Sequence, residues 1–162
     1  MGYRLKVYKE YFDFSAGHFI TFGGRCETLH GHNYRVEVAL EGDNGPDFFL
    51  YNFSALKPIV RQECNALDHK MLLARENPLL HFETKADEVE VRFEQRRYIF
   101  PMAEVAFLPL ENTTAEQLAR YLLGQIRDKI KTLNLPETAY LRQIEVGVEE
   151  KPGQAAYYFE TF

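Results

Sequence analysis

Tryptophan is absent from the 162 residues, cysteine occurs twice and methionine three times. Two cysteines do not make the disulfide framework of a small secreted scaffold, so the core must hold the fold, and a reducing, cytoplasmic setting is expected. No apolar run approaches the roughly 20 residues that a membrane-spanning helix needs. Basic charge is also short. Nineteen Lys and Arg stand against 24 Asp and Glu, a net charge of −5, which argues against a general nucleic-acid or anionic-membrane partner. The opening MGYRLKVYKE is charged and alternating, unlike a secretory leader, and Lys6 stands where a myristoylation signal wants Ser or Thr. Linkers, repeats and low-complexity segments are missing too, so a single domain over 1–162 is expected.

What the chain does have is apolar bulk. Hydrophobic residues make up 46%, with 13 Phe and 10 Tyr to fill a core without tryptophan. Residues 33–42 alternate strictly: Tyr34, Val36, Val38 and Leu40 point one way, and Arg35, Glu37 and Glu41 the other. That is the period of a half-buried strand. Residues 3–14 also read as a strand, but Tyr3, Leu5 and Val7 share one parity while Phe12, Phe14 and Ala16 share the other. A bulge near 9–11 is therefore expected. In 54–67 the period changes. Leu56, Ile59, Val60, Cys64 and Leu67 form a helical stripe with Ser54 as N-cap, and Pro58 argues for a start later than the cap.

A second helix is expected over 115–131. Thr113-x-x-Glu116 and Thr114-x-x-Gln117 both resemble capping boxes, and Leu118, Leu122, Ile126 and Ile130 supply the buried face. Between the helices, VEVRFEQRRYIFP reads as a hairpin about Gln95–Arg96, and the chain closes with two strands joined around 151–153. The order predicts an α+β domain with helices packed on a mainly antiparallel sheet.

The chemistry gathers at strand ends. His30 and His32 lie two apart on an extended segment and share a side with Tyr34. His18 has the parity of Phe14 and Ala16. If the two strands pair antiparallel, with 19–29 as their connection, three imidazoles converge on one rim. Three neutral imidazoles with an open fourth position suit a catalytic zinc, and Gly31 permits a tight backbone between two of them. Chance His-x-His pairs are common, so spacing alone does not decide for a metal. Cys64 falls on the helical stripe and reads as a small buried hydrophobe. Cys26, in a Gly-rich polar loop, can act as a general base or close the site as a fourth ligand; spacing leaves both open. Asp68–His69 ends the first helix. Side chains adjacent along a helix do not face each other, so the pair can meet only if the backbone turns there. The alternative is a histidine stabilised by the helix dipole. His81 has no partner in the pattern and reads as structural.

Five segments, FSAGH (14–18), CETLHGH (26–32), LDHK (67–70), NTTAE (112–116) and VGVEE (146–150), occur in an order that resembles the 6-pyruvoyl-tetrahydropterin synthase and 6-carboxytetrahydropterin synthase family of the tunnelling fold. The resemblance implies an antiparallel sheet with two helices on one face, here with an extra hairpin near 88–101. Trimers closing into a barrel would stack as a hexamer with active sites between subunits. It implies one Zn²⁺ per subunit held by His18, His30 and His32, with Cys26 as the proton-abstracting thiolate. Asp68 and His69 complete the acid/base set from a neighbouring subunit. Glu150 would anchor the pterin, with Glu149 competing if the register slips, and Thr114 and Glu116 would line the pocket. The implied substrate is 7,8-dihydroneopterin triphosphate, converted to 6-pyruvoyl- or 6-carboxytetrahydropterin without a redox cofactor.

Three features depart from the pattern. The Asn often found two positions after LDHK is replaced by Leu72 and Leu73, the 85–108 region is longer than in compact relatives, and Glu27 makes ETLHGH read also as Glu-x-x-His-Gly-His. A third branch of the family uses that glutamate to cut the side chain to 6-hydroxymethyl-dihydropterin. A zinc-stabilised pterin-binding protein without turnover is the alternative of another class.

Overall fold

The computed structural model describes residues 2–9 and 11–162. Its strands are β1 (Tyr3–Val7), β2 (Asp13–His18), β3 (Thr21–Phe22), β4 (Arg25–Cys26), β5 (His30–Gly42), β6 (Lys70–Ala74), β7 (His81–Lys85), β8 (Glu88–Phe93), β9 (Arg96–Pro101), β10 (Val105–Leu108), β11 (Leu141–Lys151) and β12 (Gln154–Thr161). Two helices, α1 (Phe53–Leu67) and α2 (Ala115–Leu133), complete the α+β architecture. Neither is long and apolar enough to cross a membrane.

The main sheet runs β10-β6-β2-β5-β11-β12, with β1 also paired to β5. It is mixed. β6 lies parallel to both β2 and β10, and the other ladders are antiparallel. Val36, Val38 and Leu40 of β5 join Ile144, Val146 and Val148 of β11 in the same core as the helix stripes. The opposite face carries ion pairs, Arg4 with Glu41 and Glu145, and Lys6 with Glu37. Being exposed, such pairs contribute little stability.

The expected bulge near 9–11 includes Glu10, which lies outside the described residues. At its flanks Val7 faces Val38 and Asp13 faces Arg35, so six steps on one strand oppose three on the other. Lys9 and Tyr11 both have left-handed φ, 67° and 52°. The change of side-chain parity is thus real and larger than a single inserted residue.

Several local expectations need correction. The N-cap of α1 is Asn52, whose side chain accepts from the Ser54 N–H at 2.8 Å, and not Ser54. Pro58 lies inside that helix. The only bond it removes is to the carbonyl of exposed Ser54, which water can satisfy, so it does not delay the start. At α2 Thr114 is the N-cap, accepting from Gln117 N without a return bond from the Gln117 side-chain oxygen, while Thr113 turns its hydroxyl to the Phe19 carbonyl. The hairpin turn falls at 94–95, one residue early, with Glu94 at φ 50°. A third strand, β7, holds His81 and makes the hairpin a three-stranded accessory sheet. Beneath it Phe19, Cys26, Met71, Leu73, Val89, Val91 and Phe93 form a second apolar cluster. Leu72 and Leu73 stand buried on β6, one in each cluster.

Candidate metal centre and its loop

Antiparallel pairing of β2 with β5 sets His18 opposite His30 and Ala16 opposite His32. The three rings meet edge to face, with centroids 4.6, 5.2 and 4.9 Å apart. A Cβ on Gly31 would lie 2.9 Å from the Ala16 carbonyl oxygen, so only glycine lets the two strands approach this closely between the ligands.

Main-chain carbonyls fix the tautomers. His18 Nδ1 lies 3.0 Å from Thr113 O and His30 Nδ1 lies 2.8 Å from Thr28 O. A carbonyl only accepts, so each Nδ1 carries the proton and each Nε2 presents a lone pair. Those two Nε2 atoms are 3.2 Å apart. Two lone pairs facing each other at that distance repel unless a cation lies between them. Burial, reinforced by the neighbouring imidazoles, pushes His18 down to about 4 and also lowers His32, so both are neutral at pH 7. Neutral, oriented, converging imidazoles fit a metal ion.

Glu150 joins them. The β11–β12 register shifts between Glu149 and Lys151, leaving Glu150 as the extra residue of a bulge. Its carboxylate lies 2.8 Å from His32 Nε2, and the ligand atoms of His18, His30, His32 and Glu150 all fall within 4.8 Å of one another. Glu149 points to the other face, 3.8 Å from Arg35. Of the two competing glutamates, Glu150 therefore stands at the centre, beside the imidazoles.

The adjacent loop separates Cys26 from Glu27. Cys26 is 5% exposed within the second apolar cluster, and its thiol donates to the Glu27 carbonyl at 3.4 Å. Burial pushes its thiol up, partly offset by the Arg96 charge. Glu27 is half-buried, with Oε2 4.0 Å from His30 Nε2. Cys26 is thus outside the ligand group, and Glu27 stands beside it.

Asp68 caps the C-terminus of α1 with extended backbone, and His69 follows at φ 55°. That turn is what brings adjacent side chains together: His69 Nδ1 lies 2.8 Å from Asp68 Oδ2. The Ser15 N–H donates to Asp68 at 2.8 Å and holds its carboxyl below the usual carboxylate range. His69, Lys70 and Phe100 line a cleft of about 630 Å³ with His30 and His32. Phe100 brings the accessory sheet to this wall. Thr114 spends its hydroxyl on the α2 cap, and Glu116 is exposed in the first turn of that helix.

Residues that sequence reasoning missed act through the main chain. Asn112 and Thr21 bond reciprocally, Asn112 Nδ2 to Thr21 O at 2.7 Å and Thr21 N to Asn112 Oδ1 at 3.2 Å. Asn77 donates to Thr21 Oγ1 and to Glu111 O, both at 2.8 Å. Arg96, at the start of β9, donates to the carbonyls of Cys26 and Glu27. NTTAE was visible as a motif. Nothing in the local sequence marked Asn77 or Arg96 as site residues, because the groups to which they donate, the Thr21 hydroxyl and three main-chain carbonyls, lie 34 to 70 residues away.

The family model for 6-pyruvoyl tetrahydropterin synthase matches residues 6–161. A Methanocaldococcus jannaschii protein named "Putative 6-carboxy-5,6,7,8-tetrahydropterin synthase" is 35% identical, covering 90% of this chain and 88% of its own length. The crystal structure of Plasmodium vivax 6-pyruvoyl tetrahydropterin synthase superposes with a TM-score of 0.94 at 32% identity, over 100% of this chain and 99% of that one. A variant of the same Plasmodium protein, in which a glutamate named as a catalytic residue is replaced by alanine, superposes equally well.

Proposed function

This chain belongs to the 6-pyruvoyl tetrahydropterin synthase family, and from that premise we propose a zinc-dependent lyase that cuts the side chain of 7,8-dihydroneopterin triphosphate to 6-hydroxymethyl-dihydropterin. The observation that carries this branch is the orientation of the loop: Glu27 stands 4.0 Å from a ligand imidazole, while Cys26 is turned into an apolar cluster. The likeness to a Plasmodium enzyme with a catalytic glutamate supports it.

His18, His30 and His32 would hold Zn²⁺, whose chemistry is to acidify a neighbouring hydroxyl and stabilise developing oxyanion charge. Three imidazoles are a frequent catalytic zinc set, and the soft thiolate that a closed site would want is outside the group. Glu27 takes the proton from the substrate side chain as general base, a role for which a half-buried carboxylate beside the metal is suited. Glu150, beside His32, would accept from the pterin's ring N–H and exocyclic amine. As the C1′–C2′ bond breaks, the deprotonated hydroxyl becomes the carbonyl of a triphosphorylated aldehyde that leaves, and His69, oriented by Asp68, would deliver a proton to C1′ of the pterin while Glu27 gives its proton up to solvent. Both cysteines are free thiols.

A second reading, 6-carboxy- or 6-pyruvoyltetrahydropterin formation with Cys26 as base, is favoured by the name of the 35%-identical relative and by the Arg96 charge beside the thiol. Incubation of the zinc-loaded protein with dihydroneopterin triphosphate, with products identified by mass, separates the readings. 6-Hydroxymethyl-dihydropterin is the expected product. A pyruvoyl or carboxy product would transfer the base role to Cys26, and binding without turnover would leave a pterin-binding protein.

A further inference from the structure

The accessory sheet has so far only lined a wall. Its second turn does more. Arg96 Nη1 donates to Cys26 O at 2.9 Å and to Glu27 O at 3.0 Å, so one guanidinium holds two consecutive carbonyls. Consecutive carbonyls of an extended chain point to opposite sides, and a single donor atom reaches both only where the backbone turns. The Arg96 guanidinium also lies 5.9 Å from the Phe93 ring centroid, which orients it. Tyr98, two residues on, stacks on Phe19 at 5.4 Å, and Phe19 adjoins the ligand His18. From the other side, the Glu27 N–H donates to Ile20 O at 3.0 Å, and Thr21 pairs with Cys26. The loop is therefore gripped at Ile20–Thr21 and at Arg96, and these grips decide which of two adjacent reactive side chains faces the imidazoles.

We infer that Arg96 is a specificity-determining positioning residue: by fixing the Cys26 and Glu27 carbonyls it turns Glu27 toward the metal centre and keeps Cys26 in the apolar cluster. The inference rests on the reading of Glu27 as the working base. Its energetic basis is ordinary, since charge-assisted hydrogen bonds to carbonyls are among the stronger ones and their loss frees the loop to sample other turns. In the wild-type orientation the thiol lacks both access and ionisation. Once the loop is free, Cys26 can exchange places with Glu27, and the outcome of the reaction changes with it.

The test uses the full-length, zinc-loaded protein and two variants. Arg96→Met removes both bonds while keeping apolar packing on Phe93, and Arg96→Lys keeps the charge and can reach one carbonyl. For Arg96→Met the expected results are a roughly tenfold or greater fall in 6-hydroxymethyl-dihydropterin formation, pyruvoyl- or carboxypterin rising as a share of product, and KM nearly unchanged. Iodoacetamide labelling of Cys26, read by peptide mass, should accelerate by a similar factor at unchanged zinc content. Arg96→Lys should fall between the two proteins on both readouts. A loop that merely loosened would lower all products together without changing their ratio. Unchanged product ratio and unchanged labelling would overturn the inference. If Arg96→Met does not fold, Arg96→Lys gives the same decision at smaller amplitude. Labelling is independent of turnover, so a wild-type protein that makes no hydroxymethyl product refutes the Glu27 reading and leaves the loop measurement intact.

Discussion

Cys26 and Glu27 are neighbours in the chain and sit in opposite environments. A thiol pushed up by burial is mostly protonated at neutral pH and is enclosed in an apolar cluster, whereas Glu27 is partly solvated beside His30. Cys26→Ala is therefore expected to keep most activity, while Glu27→Gln loses roughly two to four powers of ten in kcat. Steady-state assays of the two proteins check this, and reversed sensitivities would restore the thiol as base. Equal, small losses would move the proton chemistry to Asp68–His69. At the metal itself, extensive dialysis followed by elemental analysis should leave about one zinc per chain. His30→Ala should lose it, because the remaining imidazoles no longer close around the ion. Absorption spectroscopy finding Cys26 sulfur in the first coordination shell would sink the open-site reading.

At the scale of elements, the legible features were those written in local periodicity. The stripe of α1, the stripe of α2 and the alternation of β5 all carry one buried face, and each appears where the pattern put it. Parity put the three histidines on shared sides, and the antiparallel pairing of β2 and β5, only a condition in the sequence, brings them together. The parallel strands β6 and β10 were not legible, since short apolar runs such as MLLA have no distinguishing period. Nor was the cap of α1, where Ser54 and Asn52 are equally good sequence candidates. Asn52→Ala should cost about 0.5–2 kcal/mol, and Ser54→Ala much less, by chemical denaturation. Equal losses would contradict the observed cap. The accessory sheet adds a pH-dependent element. Glu90, nearly buried between Arg92 and Arg97, is held down to about 2 by its hydrogen bond to Arg97, with Arg92 assisting. A folded-state value below the unfolded one means the stabilisation is complete above the ordinary carboxylate value of 4.5 and is lost as pH falls toward 2. Proteolysis within 81–101 should therefore rise between pH 4.5 and 2, and Glu90→Gln should flatten that rise. A profile identical in both proteins would remove Glu90 from the explanation.

The whole molecule leaves surface that a lone chain has no use for. β10 and β12 end the main sheet, each with one unpaired side, and β12 exposes Tyr157 (51%) and Phe159 (62%). Open edges flanked by aromatics invite pairing with another copy, and closed symmetric assemblies satisfy such edges without growing into fibres. Asp68–His69 points the same way. His69 is 83% exposed on its side chain and, among the described residues, bonds Asp68 and, through its main chain, Ser15. One chain can bring it to the cleft beside His30 and His32, but an imidazole so exposed is equally placed to serve a neighbour's centre. We propose a closed symmetric assembly, in the form the family resemblance implies, a trimer stacked to a hexamer, and light scattering checks it. Coexpressing a Glu27→Gln chain with an Asp68→Ala–His69→Ala chain distinguishes the two geometries. If each centre takes Glu27 from one chain and His69 from the next, random mixing leaves about a quarter of the centres with both groups intact, and about a quarter of wild-type activity should return. If every centre draws both groups from a single chain, no mixture can recover more than its parents. An active monomer would defeat the assembly outright.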